Sequence, residues 1–414
     1  MPQFSPDSRV SRSGVTRRML LGMTLAAASS LAIGARAGAT EDPSTPPNRP
    51  AHASQTRSEL LRLLAMTPPS VLIQEEGMAA QPMFAYVDVR AQLATLGVKP
   101  YEGAGSDLPE GFFNALNVVP VETEPYRFAL SEEFIDLFGF SAFSAERTML
   151  VGSARRQAIF LQGGIDLEAL PRHWEAAGYR RNTTATGQEA WTNGENGEFS
   201  PDDPAQRITI GRLNNALIME DGTLVFTPRF DTLDAIATLA AGGGDSLAGT
   251  PGLAEALATL QDDTVAVMAT AGEDLSAGRM VLRDAPVPES LADADAEFGP
   301  LPAPQLLVMG LTAGVSATPA GEEPAHRGFV QSRLVMDSVD DTDLATEIVP
   351  QRWETLTSAI SDRAYADLLA VRSAEPLETI AAVDLDIVGP PGAWKSMVWA
   401  NDLLPYAFDP DAVG

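Results

Sequence analysis

The chain has no cysteine anywhere in its 414 residues. It can therefore form no disulfide and no thiolate metal site, so packing alone must hold it together. Histidine adds little as an alternative ligand. His52, His173 and His326 are the only three, and His52 falls in a proline-rich stretch, which rules out a zinc centre built on several histidines. The core has to be hydrocarbon, and a hydrophobic content of 45% supplies it.

The N-terminus says where the chain goes. Arg17 and Arg18 stand directly before an apolar run, Met19 to Ile33, and Ala35-Arg36-Ala37 follows. A charged start, a short apolar segment and a small-x-small site make residues 1–39 a signal peptide, with cleavage after Ala37 or Ala39. A membrane-spanning helix needs ~20 apolar residues; this run is shorter and is diluted by Gly22, Thr24, Ser29 and Ser30. The arginine pair resembles the twin-arginine (Tat) export signal, with an ordinary Sec signal as the alternative. The expected location is extracytoplasmic, periplasmic or secreted, with no membrane span in the mature chain.

Charge restricts the partners. The chain carries 28 basic and 56 acidic residues. Removing residues 1–39 takes away five arginines and Asp7, which leaves 23 basic and 55 acidic residues, a net −32. A body this acidic is repelled by phosphate backbones and anionic membranes, so nucleic acid is not an expected partner. Lys99 and Lys395 are the only lysines.

Composition also divides the chain. Residues 40–58, with Pro43, Pro46, Pro47 and Pro50, lack apolar periodicity and read as a disordered linker. Leu60, Leu61 and Leu64 then share one helical face. Strands are expected at 84–89, 158–161, from Tyr179, and around Glu189-Ala190-Trp191. Further strands are expected at 208–210, 216–219, 223–226, 264–268, 305–311, 328–336 and 380–388. Asp221-Gly222 is a hairpin turn. Helices are expected at 90–96, 131–139, 166–177, 232–241, 253–260 and 342–369, the last interrupted by Pro350. Residues 284–304 hold five acids, five prolines and no basic residue, so they read as an acidic loop between an α+β domain, 59–283, and a C-terminal α+β portion, 305–414. Irregular alternation with hairpins indicates the α+β class: mixed or antiparallel sheets with helices on one face, and room for two related split β-α-β units.

Candidate chemistry is sparse. Gly244-Asp245-Ser246-Leu247 resembles the nucleophile block of GDSL-type esterases, which would make Ser246 catalytic. Its preceding segment reads as helix rather than strand, and a serine needs a base within hydrogen-bond reach. The plainer reading is that Gly242-Gly243-Gly244 ends one helix and Ser246 or Thr250 caps the next. A carboxylate-based glycosidase is the other hydrolase reading, since an acidic chain offers many carboxylate pairs. Two acidic groups are weak calcium candidates: Asp293, Asp295 and Glu297, and Asp340, Asp341 and Asp343. The first group lacks the glycine and glutamate of an EF-hand loop, and the second suits a helix N-terminus.

Several features of the middle third occur together. They are Gly139-Phe140, a strand ending at Gly163, and Asp166 leading a helix to Gly178-Tyr179. Asn-Asn-Ala-Leu-Ile at 214–218 and Asp-Ser-Leu-Ala at 245–248 complete the set. This block resembles a group of uncharacterised exported bacterial proteins, a resemblance that brings no assigned activity. The expected function is that of a non-catalytic extracytoplasmic protein that binds an unknown envelope protein or small molecule, with no cofactor. The exported hydrolase is the alternative.

Overall fold

The central strand segments are apolar at nearly every position, a pattern a strand shows when both faces of its sheet are covered. The computed structural model describes residues 53–73, 81–101, 108–121, 124–152, 155–194, 196–280, 289–315 and 328–410, all within one compact unit. Its strands are β1 (Phe84–Asp88), β2 (Arg147–Val151), β3 (Ala158–Gln162), β4 (Arg180–Thr183), β5 (Glu189–Thr192) and β6 (Asn215–Ile218). They continue with β7 (Leu224–Thr227), β8 (Thr264–Ala271), β9 (Leu306–Thr312), β10 (Phe329–Val335), β11 (Leu369–Leu377) and β12 (Ile380–Ile387). All twelve form one antiparallel sheet in the order β11-β12-β10-β9-β8-β1-β2-β3-β7-β6-β5-β4. The protein is an α+β fold.

The helices are α1 (Ala53–Ala65), α2 (Val89–Thr95), α3 (Phe112–Leu116), α4 (Glu124–Arg127), α5 (Glu132–Phe138), α6 (Leu170–Ala176) and α7 (Pro204–Thr209). After them come α8 (Phe230–Ala240), α9 (Leu253–Ala258), α10 (Ala277–Met280), α11 (Glu289–Phe298), α12 (Val339–Thr355) and α13 (Ala393–Ala400). Each sheet face has its own apolar core. One gathers Ala85, Val87 and Met268 with side chains of α2 to α7 and of α11 to α13. The other gathers Phe84, Tyr86 and Val267 with α1, α8 and α9. Most helices thus lie on one face, as sequence suggests, and a thinner layer of three covers the other.

The sheet is built from two related halves. β1, β2 and β3 form a meander; α6 leads away to the edge, and strands β4 to β7 return until β7 pairs with β3. β8, β9 and β10 repeat this, with α12 leading to the edge strand β11 and β12 returning to β10. The halves join through the antiparallel β1–β8 pair. The sheet therefore runs without a break across the expected division between 59–283 and 305–414.

α1 is fixed by both kinds of contact. Leu60, Leu63 and Leu64 are fully buried. Beside them a polar row crosses the strands: Asp88 accepts from Arg147 Nε at 3.0 Å, and Gln162 donates to Thr223 Oγ1 at 3.0 Å and to Glu59 of α1. Arg62 of α1 pairs with Glu59 and Asp221.

Four expectations need correction. Residues 53–58, read as the end of a disordered linker, open α1, where Thr56 is buried and Arg57 Nη1 donates to Ala258 O at 2.8 Å; residues 40–52 fall outside the described part. Residues 208–210, read as a strand, lie at the end of α7, because Asp203 caps that helix by accepting from Gln206 N at 2.9 Å. The acidic stretch 284–304, read as a loop, contains α11; residues 284–288 fall outside the described part. α12 continues through Pro350 but ends at Thr355, and the rest of the expected helix becomes a turn and the edge strand β11.

Candidate functional site

The site is built where the two central strands end together. β1 begins beside the end of β8: Met83 N donates to Ala269 O at 2.7 Å, and Gly152 N, just after β2, donates to Met83 O at 3.0 Å. Gly152 adopts φ 81°, and a Cβ there would stand 2.4 Å from Val71 O, so only glycine lets the 69–72 turn approach so closely. Gly272, just after β8, is confined in the same way, since its Cβ would lie 1.8 Å from Pro304 O.

These approaches leave a recess of about 310 Å³. Leu72, Ile73, Pro82, Met83 and Ala271 give it apolar walls, and Gln81, Glu273, Asp274 and Arg279 give it polar ones. The volume is at the small end for ligand pockets. Arg279 Nη1 lies 2.8 Å from Asp274 Oδ1 and 3.5 Å from Glu273 Oε2. The Asp274 side chain is only 5% exposed, whereas that of Glu273 is 71% exposed. Burial pushes the Asp274 carboxyl above its usual range, and the Arg279 hydrogen bond only partly opposes this. The Arg279 guanidinium is held above its usual value, first by its hydrogen bond to Asp274.

The C-terminal segment braces this corner. Asn401, in the left-handed conformation at the end of α13, donates from Nδ2 to Asp274 O at 3.1 Å and to Arg279 O at 3.4 Å. Ala277 N donates to Phe408 O at 2.9 Å. The recess therefore has a preset shape, with two carboxylates and one guanidinium over an apolar floor. That balance suits a small neutral or cationic ligand. Among the described residues that line the recess there is no serine, threonine, cysteine, histidine or lysine.

The structure disperses the residues singled out from sequence. Ser246 precedes a short 3-10 turn, Leu247–Gly249, and Leu247 N donates to Thr67 O at 2.9 Å. Leu247 belongs to the core shared with α1, α8 and α9. His173, on α6, lies on the other side of the sheet, where its Nδ1 is 2.8 Å from Asp136 O. His52 and His326 lie outside the described residues, as do the signal residues Arg17 and Arg18. Ser246 thus has no histidine base among the described residues. The next helix, α9, is capped by Gly252, not by Ser246 or Thr250.

The calcium candidates are also separated. Asp293, Asp295 and Glu297 lie on α11; Asp295 turns inward to pair with Arg352, while Asp293 and Glu297 are exposed. Ser338 caps α12, and Asp341 completes a reciprocal box with it: Asp341 N donates to Ser338 Oγ at 3.1 Å, and Ser338 Oγ donates to Asp341 Oδ2 at 2.7 Å. Asp340 and Asp343 are exposed on the first turns. Among the described residues no group of three histidine, cysteine, aspartate or glutamate side chains is placed to hold a metal ion. No helix among them is long and apolar enough to cross a membrane.

Sequence reasoning missed Asp274 and Arg279, because the segments that line the recess are far apart in the chain and only the fold joins them. The one local signal is the acidic pair Glu273-Asp274, one glycine after the mostly apolar strand β8. Comparison of the chain with protein-family models, curated proteins and solved structures finds no match to any of them.

Proposed function

We propose that the protein is an exported, non-catalytic binding protein that takes a small ligand with an apolar body and a neutral or cationic head in the β1–β8 recess. The observation that carries this is the lining itself: five apolar residues beside two carboxylates that share one arginine. The acidity of the whole chain acts in the same direction, since a net −32 body draws cations toward its clefts and repels anions. Export rests on Arg17-Arg18 and the apolar run that follows.

A melting assay of the mature chain tests the reading. Short alkyl and aryl ammonium compounds should raise the midpoint saturably, and carboxylates of the same size should not. Glu273→Gln should weaken the ammonium response several-fold without lowering the unliganded midpoint, because Glu273 is exposed. Equal responses to both charge types, or robust ester or glycoside turnover, would refute the proposal.

A further inference from the structure

Asn-Gly occurs twice in the chain, at Asn193-Gly194 and Asn196-Gly197, both just after β5. The dipeptide has a chemistry of its own. The glycine nitrogen can attack the side-chain amide carbon of the asparagine, because a glycine has no Cβ to obstruct the approach. A C–N bond forms, the bond from that carbon to the amide nitrogen breaks, and the proton lost by the glycine nitrogen leaves with that group as ammonia. Water then adds to either carbonyl of the five-membered succinimide and opens it to aspartate or isoaspartate.

The fold treats the two pairs differently. Asn193 is 7% exposed and is held at three points. Its N donates to Asn214 O at 2.7 Å, its O accepts from Gln206 Nε2 at 2.9 Å, and its Nδ2 donates to Asp203 Oδ1 at 3.1 Å. Gly194 is packed as closely, since a Cβ there would lie 2.7 Å from Gln206 Nε2. Ring closure at Asn193 must disrupt these contacts. Asn196 and Gly197 are exposed, and the nearest atom to a Cβ on Gly197 would be Arg229 Nη1, at 3.9 Å. The Gly197 N–H donates to Pro228 O over a long 3.3 Å.

The Asn196 amide is also polarised. α8 starts after Arg229, whose side chain makes no capping bond. Asn196 Oδ1 serves instead, accepting from Phe230 N and from Asp231 N, the latter at 3.4 Å. Backbone N–H groups on a carbonyl oxygen stabilise the oxyanion that forms when a nucleophile adds to its carbon. The positive end of the helix dipole acts in the same direction.

We infer that Asn196 is a site of spontaneous self-modification, which in the folded protein closes on Gly197 N with loss of ammonia and hydrolyses to aspartate and isoaspartate, while Asn193 is preserved. Aspartate keeps the capping oxygen and adds a charge that the dipole favours. Isoaspartate inserts a methylene into the main chain and displaces the cap. α8 carries Leu233, Ile236 and Ala237 of one apolar core, so the change acts on the helix layer of that sheet face.

The test compares the protein folded in mildly alkaline buffer with the same protein unfolded in guanidinium chloride. Trypsin releases both asparagines in one peptide, 182–207, and its fragmentation by mass spectrometry locates each conversion of amide to acid. Unfolded, Asn193 and Asn196 should convert alike. Folded, Asn196 should keep its unfolded rate or exceed it, while Asn193 slows several-fold. An Asn196 slowed by folding would overturn the inference, and so would a folded Asn193 that keeps pace with it.

Discussion

Ile210 ends α7 in the left-handed conformation, with φ 53° and ψ 39°. For a residue with a Cβ this region costs roughly 1–2 kcal/mol, and a β-branched residue is a clear outlier there. The helix end requires the conformation, since Ile210 N donates back to Gln206 O. The side chain gives little in return, because Ile210 is 64% exposed. Full burial of an isoleucine contributes about 1.5–3 kcal/mol, so the covered third is worth roughly 0.5–1 kcal/mol. Asparagine tolerates the left-handed region. Ile210→Asn should therefore stabilise the protein by about 0.5–1 kcal/mol, the strain relieved less the packing lost. Ile210→Gly should come out near neutral, because its gain is offset by the larger entropy of a glycine in the unfolded chain. Ile210→Val keeps the strain and should change little. Urea unfolding with an unchanged slope is the assay. A lower midpoint for Ile210→Asn would refute the reasoning, since it would show that packing at this position outweighs strain.

Three further outcomes are expected. Arg352 is fully buried and pairs with Asp295, so Asp295→Asn should cost about 3 kcal/mol by stranding a buried charge; the double variant with Arg352→Met should lose less, and a larger loss in the double variant would contradict this. Burial pushes Glu59 up, but hydrogen bonds from Arg62 and Gln162 outweigh it and hold the carboxyl below its usual range. Its stabilising share is therefore complete above the unfolded value, about 4.3, and is lost as pH falls through the lower folded value. The gap in stability between wild type and Glu59→Gln should narrow on acidification, and a gap that is flat with pH would show that Glu59 is not held low. Finally, replacing Arg17 and Arg18 together by lysine should block export through the twin-arginine route although charge is unchanged, because that receptor reads guanidinium groups; normal export would indicate the Sec route.

The parts of the fold legible from sequence are those where local chemistry and burial agree. Ala158 to Leu161 and Val265 to Met268 are wholly apolar runs, and both lie in inner strands of the sheet. Asp221-Gly222 marks the β6–β7 turn, where Gly222 adopts φ 81° and Asp221 accepts from Thr223 N at 2.9 Å. Ser131 and Gly139 bracket α5 as read, with the serine accepting from Phe134 N at 3.3 Å. Edge strand β11 was not legible: Arg372, Ser373, Glu375 and Pro376 are exposed, so it has no alternating pattern to detect. The Ile208-Thr209-Ile210 run looks like a strand by propensity, but Pro204 and the Asp203 cap decide for a helix. The recess was illegible for a different reason. Leu72, Met83, Gly152 and Arg279 become neighbours only once β1, β2 and β8 pair, and Asp274 and Arg279 look like surface charges until the fold buries the first of them.

The most direct test of the proposed binding role follows the methionine methyl groups. Met83 lines the recess, and its methyl signal can be assigned through Met83→Leu. A titration of the protein with a small aryl ammonium compound, read in a ¹³C-methyl methionine spectrum, should move the Met83 signal saturably. Methionines remote from the recess, such as Met309, should stay in place. The Met83 shift should shrink in Glu273→Gln and be absent with the matching carboxylate. A Met83 signal that does not move, or that moves equally with both charge types, would contradict the assignment of the β1–β8 recess as a binding site.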